Sequence, residues 1–291
     1  MKNIKGIAYA LISSSTFGLI PLFSIPVLAS GAMGVPSLLF YRFAFATAAI
    51  AVAGLALKRN FKIKPAVLVK VSVLGIFYAS TSMGLTMSYQ YISSGAATTI
   101  HFLYPILVTA IMIAFFGEKA SRTLIVASVL SIIGVALLSQ GEGEGVEPKG
   151  LLLVLMTVVT YATYIVGVNK SGVESTDPVI LTFYVFVAST ALFAAYAWGT
   201  GGTIEPIKDC TTMWHIVLLA LLPTVISDFT LILAIKYVGS TVTAILGSME
   251  PLTAVLVGVF YFSESFSIKT AAGLALVLFA VTMVVRRSSR K

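Results

Sequence analysis

Cysteine is almost missing from this sequence. Cys210 stands alone, so no disulfide can form within the chain and no cysteine cluster can hold a metal. Charge is scarce as well: 10% of the residues are Asp, Glu, Lys or Arg, against about 25% in ordinary soluble domains, while 58% are hydrophobic. The chain lacks a His-Glu-x-x-His run, a Cys-x-x-Cys pair, a nucleophile elbow and the Gly-Lys-Ser/Thr ending of a phosphate loop. Hydrolytic, redox and ATP-driven chemistry are thereby left without residues to carry them, and no cofactor is implied. The net charge of +8 does not indicate nucleic acid, because the basic residues sit at the ends of apolar runs rather than on one solvated face.

What is present is a series of long apolar runs. A bilayer core needs about 20 apolar residues per helix, and ten runs meet that need: 4–28, 36–57, 66–89, 95–116, 123–139, 150–168, 178–198, 213–235, 240–262 and 268–285. They lack the period-two alternation of a barrel strand, so the expected fold is an all-α membrane protein of ten transmembrane helices. The first run is too long for a signal-peptide core and is read as a retained helix. With the N-terminus inside, the inner ends carry Lys2, Lys5, Lys58, Arg59, Lys62, Lys64, Lys70, Lys119, Arg122, Lys170, Lys236, Arg286, Arg287, Arg290 and Lys291. The outer ends carry only Lys149, Lys208 and Lys269. This bias places both termini in the cytoplasm, and Trp198 and Trp214 then fall in an outer interfacial belt.

The two halves repeat. "YISSGAATTIHFLYPILVTAIMIAFFGEK" aligns without gaps on "YVGSTVTAILGSMEPLTAVLVGVFYFSES", setting Tyr91 on Tyr237, Pro105 on Pro251 and Glu118 on Glu264. Residues 1–141 form a first five-helix repeat, 142–149 an acidic outer linker, and 150–291 a second repeat. Five is odd, so the second repeat is inverted, an arrangement that secondary transporters use with the substrate site between the halves.

"FFGEKASRTLIVASVLSIIGVALLS", "GSTVTAILGSMEPLTAVLVGVFYFSESFSIKTAAGLALVLFAVTMVV" and "YRFAFA" make the chain resemble the drug/metabolite transporter superfamily, in its bacterial ten-helix EamA-like branch. The resemblance covers essentially the whole chain. It implies export or exchange of small metabolites across the inner membrane, with no motif to identify one. Glutamates closing the fourth and ninth helices are typical of that family, and Glu118 and Glu264 stand there; Ser263 replaces the usual glycine before the second.

Candidate site residues are the polar groups inside the runs. Pro105 and Pro251 are matched helix breaks, each removing a backbone donor and freeing the carbonyl four residues earlier, of His101 and of Gly247. A simple packing kink is the alternative reading of both. Arg42, His101, Asp228 and Glu250 are ionisable groups at depths where charge costs about 2.5–3.5 kcal/mol on insertion scales, so each needs a partner or a use. One reading pairs Arg42 with Asp228 or Glu250. The other lets Glu250 or Asp228 exchange a proton as a cavity alternates between the two sides. Tyr78, Ser82, His101, Tyr161, Tyr164, Gly247 and Arg42 are the candidate substrate-binding set, the two tyrosines of the sixth helix being equally readable as packing aromatics. Small residues at Ala127/Ser131 and Ala271/Ala275 suggest that helices five and ten are scaffold or a homodimer surface.

The expected function is a secondary active transporter working by alternating access, moving a small metabolite or amphipathic compound outward in exchange for protons. Its partners would be that solute, protons and the bilayer. Substrate-for-substrate exchange of anionic metabolites and a non-transporting membrane sensor are the alternatives.

Overall fold

The computed structural model describes residues 2–92, 94–119, 121–138, 147–200, 202–261 and 267–289. Among these residues the regular structure is helical throughout. The helices are α1 (Lys2–Phe17), α2 (Ile20–Ala29), α3 (Val35–Ala56), α4 (Pro65–Ser88), α5 (Ser94–His101), α6 (Tyr104–Phe116) and α7 (Arg122–Leu138). After the acidic segment come α8 (Pro148–Lys170), α9 (Pro178–Gly199), α10 (Cys210–Ala220), a π-turn (Leu221–Ile226), α11 (Ser227–Leu246), α12 (Met249–Tyr261) and α13 (Ile268–Ser289). Among the described residues seven helical stretches, two of them interrupted by a kink or short break, are long and apolar enough to cross a membrane, and α6, α7 and α12 are shorter apolar helices.

Proline sets many of the starts. It stands in the first turn of α2, α3, α4, α6, α8 and α9, where the missing N–H removes no hydrogen bond and the fixed φ suits a helix. Asp177 and Asp209 cap α9 and α10 by accepting the Val179 and Thr212 amides at 2.9 and 2.7 Å. Outside the spans, the Asp209 carboxyl is held below its usual range by the Thr212 amide and hydroxyl.

The helices pack across the two halves of the chain: α1 runs along α11, α4 along α8 and α9, and α3 along α9, while α7 and α13 lie against each other. Hydroxyls join several of these pairs. Thr81 and Thr160 meet at 2.7 Å, Ser189 donates to the Gly75 carbonyl at 3.2 Å, and Ser227 donates to the Ser13 carbonyl at 2.9 Å. Such bonds suit lipid, where apolar burial alone does not favour one helix partner over another. Ala127 and Ser131 are buried within the chain, so they are not available to a second copy; Ala271 and Ala275 remain exposed.

Several breaks depart from the sequence expectation. The run 4–28 is divided at Gly18–Leu19, although it reads as one uninterrupted helix. Between runs 213–235 and 240–262 the chain turns at Gly239, whose φ of 80° and ψ of 170° are non-helical, so the boundary falls in the expected gap but is a sharp kink with helix on both sides instead of a loop. A left-handed φ of this kind is open to glycine and strained for most other residues. The π-turn, which contains Pro223, is likewise not foreseen by a reading of hydropathy.

Candidate functional site

The site is assembled around the helix breaks. α5 ends at His101 and α6 begins at Tyr104; α11 ends at Leu246 and α12 begins at Met249. Under the gapless repeat the two interruptions fall within one residue of each other, each just ahead of its proline. The prolines therefore open the second half-helix, where no donor is missed. The expectation of a free Gly247 carbonyl is corrected here. The Glu250 amide donates to it at 2.9 Å, because the chain tightens to a three-residue turn at the break. The neighbouring Leu246 carbonyl accepts the Ser14 hydroxyl from α1 at 3.1 Å. Gly18, at the break between α1 and α2, lies directly against the Glu250 carbonyl, so the first helix is keyed to the ninth run at its interruption.

Six rings form a continuous wall through the middle of the molecule. Phe43 and Tyr78 lie 5.8 Å apart, Tyr78 and Tyr164 4.9 Å, Tyr164 and Tyr161 6.4 Å, Tyr161 and Tyr104 4.7 Å, and Tyr104 and His101 5.3 Å. These separations and tilts belong to stacked and edge-to-face aromatic contact. Tyr78, His101, Tyr161 and Tyr164, singled out in the sequence, thus do come together. Tyr104 was not singled out, yet it joins α6 to the second half: its hydroxyl occupies the space that a Cβ on Gly247 would need. The repeat carried the signal, since Tyr104 aligns on Glu250, each one residue before its proline. Ser82 is buried one turn from Tyr78 on α4, with no hydrogen bond from its hydroxyl among the described residues.

The ionisable groups are buried but not paired with one another. Arg42 on α3 is 1% exposed; its Nε donates to Thr224 Oγ1 at 2.7 Å, and its Nη2 has no partner among the described residues. Thr224 sits in the π-turn and donates its own proton to the Leu219 carbonyl at 2.7 Å, five residues back. The widened turn therefore orients the hydroxyl that meets Arg42, in keeping with the tendency of π-bulges to lie at functional sites. Asp228, one turn later and fully buried, accepts from Tyr164 O–H at 2.7 Å through Oδ1 and leaves Oδ2 unpartnered. Glu250, in the first turn of α12, has no hydrogen bond to its carboxylate among the described residues. No ion pair within 4.0 Å joins Arg42 to Asp228 or to Glu250; the pair found among the described residues is Arg59 with Asp177, at 3.4 Å near the surface.

Thr157 Oγ1 lies 2.6 Å from the Val154 carbonyl and 2.8 Å from His101 Nδ1; a hydroxyl proton given to the carbonyl favours the tautomer with the imidazole proton on Nδ1. His101 Nε2 and the Tyr78 hydroxyl are buried and have no hydrogen-bond partner among the described residues. A guanidinium nitrogen, a carboxylate oxygen, a phenol and an imidazole nitrogen are thus left with hydrogen-bonding capacity in one region, at a cost of about 1–3 kcal/mol for each buried group that stays unmet. A polar solute or water would satisfy such groups. Among the described residues no cluster of His, Cys, Asp or Glu suits a metal ion.

Glu118 belongs to the frame rather than to this wall. Its Oε2 accepts from Thr241 Oγ1 at 2.8 Å, tying the end of α6 to the stretch just after Gly239. Glu264, its counterpart, lies outside the described residues.

A multi-pass helical membrane protein with broken helices and a buried polar centre is what these observations define. Comparison with known proteins gives the family. The model of the EamA-like transporter family matches the chain twice, over residues 4–140 and 148–286, and the chain belongs to that family, within the drug/metabolite transporter superfamily. An uncharacterized transporter of Archaeoglobus fulgidus is 27% identical over 247 residues, 84% of this chain and 87% of that protein. The uncharacterized transporter YwfM of Bacillus subtilis is 24% identical over 190 residues, 64% of this chain and 62% of its own. A solved crystal structure superposes with a TM-score of 0.81 over 97% of each chain at 17% identity, a likeness of fold. The protein is accordingly a transporter of the EamA-like type.

Proposed function

We propose that the chain is a proton-coupled exporter of a small metabolite or amphipathic compound, built from ten spans in two inverted repeats and working by alternating access across a bacterial inner membrane. Joining α1 to α2, α5 to α6 and residues 240–246 to α12, with α10 continued through the π-turn to Gly239, gives ten spans. The double family match supports the two repeats, and the fifteen-to-three distribution of basic residues supports cytoplasmic termini. The observation that carries the coupling is the unpaired state of Asp228 and Glu250. A buried carboxylate locked to Arg42 has no freedom to release a proton, whereas these two have no cation within 4.0 Å among the described residues and lie beside helix interruptions that can open to water.

Replacement of Glu250 by Gln tests the coupling. The variant should fold and exchange solute between equal pools, yet fail to accumulate it against a gradient under proton drive; Asp228→Asn is the parallel case. Full proton-driven accumulation by both, with unchanged pH dependence, refutes this mechanism. Orientation has its own test: Cys210 is exposed at the start of α10 and should react with a membrane-impermeant thiol reagent added to intact spheroplasts. Labelling only after lysis would reverse the topology. A second reading, exchange of anionic metabolites without protons, is favoured by the free Arg42 Nη2, a donor suited to carboxylate or phosphate.

A further inference from the structure

Away from the aromatic wall, a cavity of about 210 Å³ opens between the end of α8, the start of α9 and the middle of α11. Asn169, Glu174 and Thr176 line its more exposed part, with Lys236. Val168, Leu181 and Ile232, each 2% exposed, line its inner part.

Helical spacing fixes what lies behind two of the three, Val168 and Ile232. Val168 stands four residues after Tyr164 on α8, and Ile232 four residues after Asp228 on α11, so each lies on the same face as its polar neighbour, one turn of about 5.4 Å further along. Tyr164 O–H and Asp228 Oδ1 are in contact at 2.7 Å. The same two helices therefore present a polar contact at one level and apolar side chains at the next, and the cavity begins at the second. Val168 and Ile232 thus stand one helical turn from the Tyr164–Asp228 contact, whose Oδ2 has no partner among the described residues. The cavity also touches the turn at Gly239. Asn169, which lines it, donates from Nδ2 to Ser240 Oγ at 2.9 Å, and Ser240 Oγ donates on to the Ile165 carbonyl at 3.1 Å. A solute that hydrogen-bonds Asn169 competes with the tie between α8 and the residue following that turn.

We infer that this cavity is a loading station for a small amphipathic solute, and that Val168, Leu181 and Ile232 form the thin gate between it and the Tyr164–Asp228 contact. This rests on the alternating-access reading above. The chemistry of the solute follows from the lining. Apolar side chains take its hydrocarbon body. The mouth offers one acid, one base, an amide and a hydroxyl, so it accepts a polar head without selecting the sign of its charge. A volume below the roughly 300 Å³ of a drug-sized site restricts the occupant to metabolite size.

Thiol accessibility tests the station and the gate together. In a Cys210→Ser protein reconstituted in vesicles, Thr176→Cys should react at similar rates with the anionic 2-sulfonatoethyl and the cationic 2-(trimethylammonium)ethyl methanethiosulfonates. Asp228→Cys, one turn behind Ile232, should react at least about tenfold more slowly, and adding Val168→Ala should raise that rate about tenfold. Tyr164→Cys repeats the measurement should Asp228→Cys fail to fold. Equal reactivity at Thr176→Cys and at the position behind the gate would show that no gate exists. A cysteine behind the gate left unreactive after Val168→Ala would show that the cavity leads nowhere, and a strong preference for one reagent would overturn the sign-neutral mouth. No proton gradient or transported solute enters this assay, so failure of the coupling mechanism leaves its outcome unchanged and the two can be told apart.

Discussion

The break between α5 and α6 and the break between α11 and α12 are the same structural event in two copies of one repeat, filled with opposite chemistry. In the first, the repeat positions hold His101 and Tyr104; in the second they hold Gly247 and Glu250. The first break fills space with rings, and the second leaves space and places a carboxylate beside it. They also interlock, since the Tyr104 hydroxyl rests where Gly247 has no side chain. A duplicated frame has thus been divided into a stacking half and an ionisable half, and each half needs the other's residue at the shared position. The helices that begin each half diverge in the same way: α1 and α2 are separated at Gly18–Leu19, while α8 runs unbroken from Pro148 to Lys170. The unbroken helix supplies Tyr161 and Tyr164 to the wall, a task that needs a rigid platform.

Making the two breaks alike should have the largest effect. Gly247→Leu drives a side chain into the Tyr104 hydroxyl, and overpacking of this kind costs about 1–3 kcal/mol, or more where backbone surrounds the site as the Ala244 carbonyl does here. Monodisperse protein should fall sharply in size-exclusion chromatography, and Gly247→Ala paired with Tyr104→Phe should recover part of it. Normal yield and melting temperature for Gly247→Leu would mean that the two breaks do not interlock.

Removing the hydroxyl that holds the ionisable half is the next largest change. Tyr164→Phe deletes the donor to Asp228, and hydrogen bonds to charged groups contribute about 1.5–3 kcal/mol. Transport should weaken while expression holds, because the ring stays in the wall. Thr157→Val touches the stacking half instead, releasing the His101 ring from its one hydrogen bond at a cost of about 1 kcal/mol. The imidazole tautomer, read by nitrogen NMR, should then become mixed, where the intact protein should favour the proton on Nδ1. Smallest is the cap outside the membrane. The Asp209 carboxyl lies below its usual range, so the stabilisation it gives α10 is present above the unfolded-state value and is lost as pH falls through the lowered one. Protection of the Thr212 amide, taken relative to its intrinsic exchange rate at each pH, should therefore fall in acid, and Asp209→Asn should abolish that acid dependence of the protection.

Much of the frame was legible because lipid imposes long apolar runs and because duplication leaves an alignable trace. Pro105 and Pro251 pointed to the interruptions within a few residues, since a proline suits the first turn of a half-helix. Tyr78, His101, Tyr161 and Tyr164 could be collected by polarity within apolar runs. The break at Gly18–Leu19 was hidden, because Gly and Pro21 both read as tolerable in a membrane helix. The π-turn was hidden for a related reason: Pro223 signals a disturbance but not which carbonyl Thr224 will find. That Arg42 meets a threonine instead of a carboxylate is a matter of tertiary distance, which neither hydropathy nor the repeat encodes.

Proton movement measured alongside solute movement tests the central claim most directly. Purified protein in liposomes with a pH-sensitive dye in the lumen is given solute gradients from a panel of amino acids, nucleosides and amphipathic toxic analogues. With a transported solute, the account predicts proton flow opposite to solute flow, lost in the Asp228→Asn/Glu250→Gln double variant while solute exchange between equal pools persists. Solute flow with no proton movement in the intact protein, or unchanged proton flow in the double variant, would contradict it.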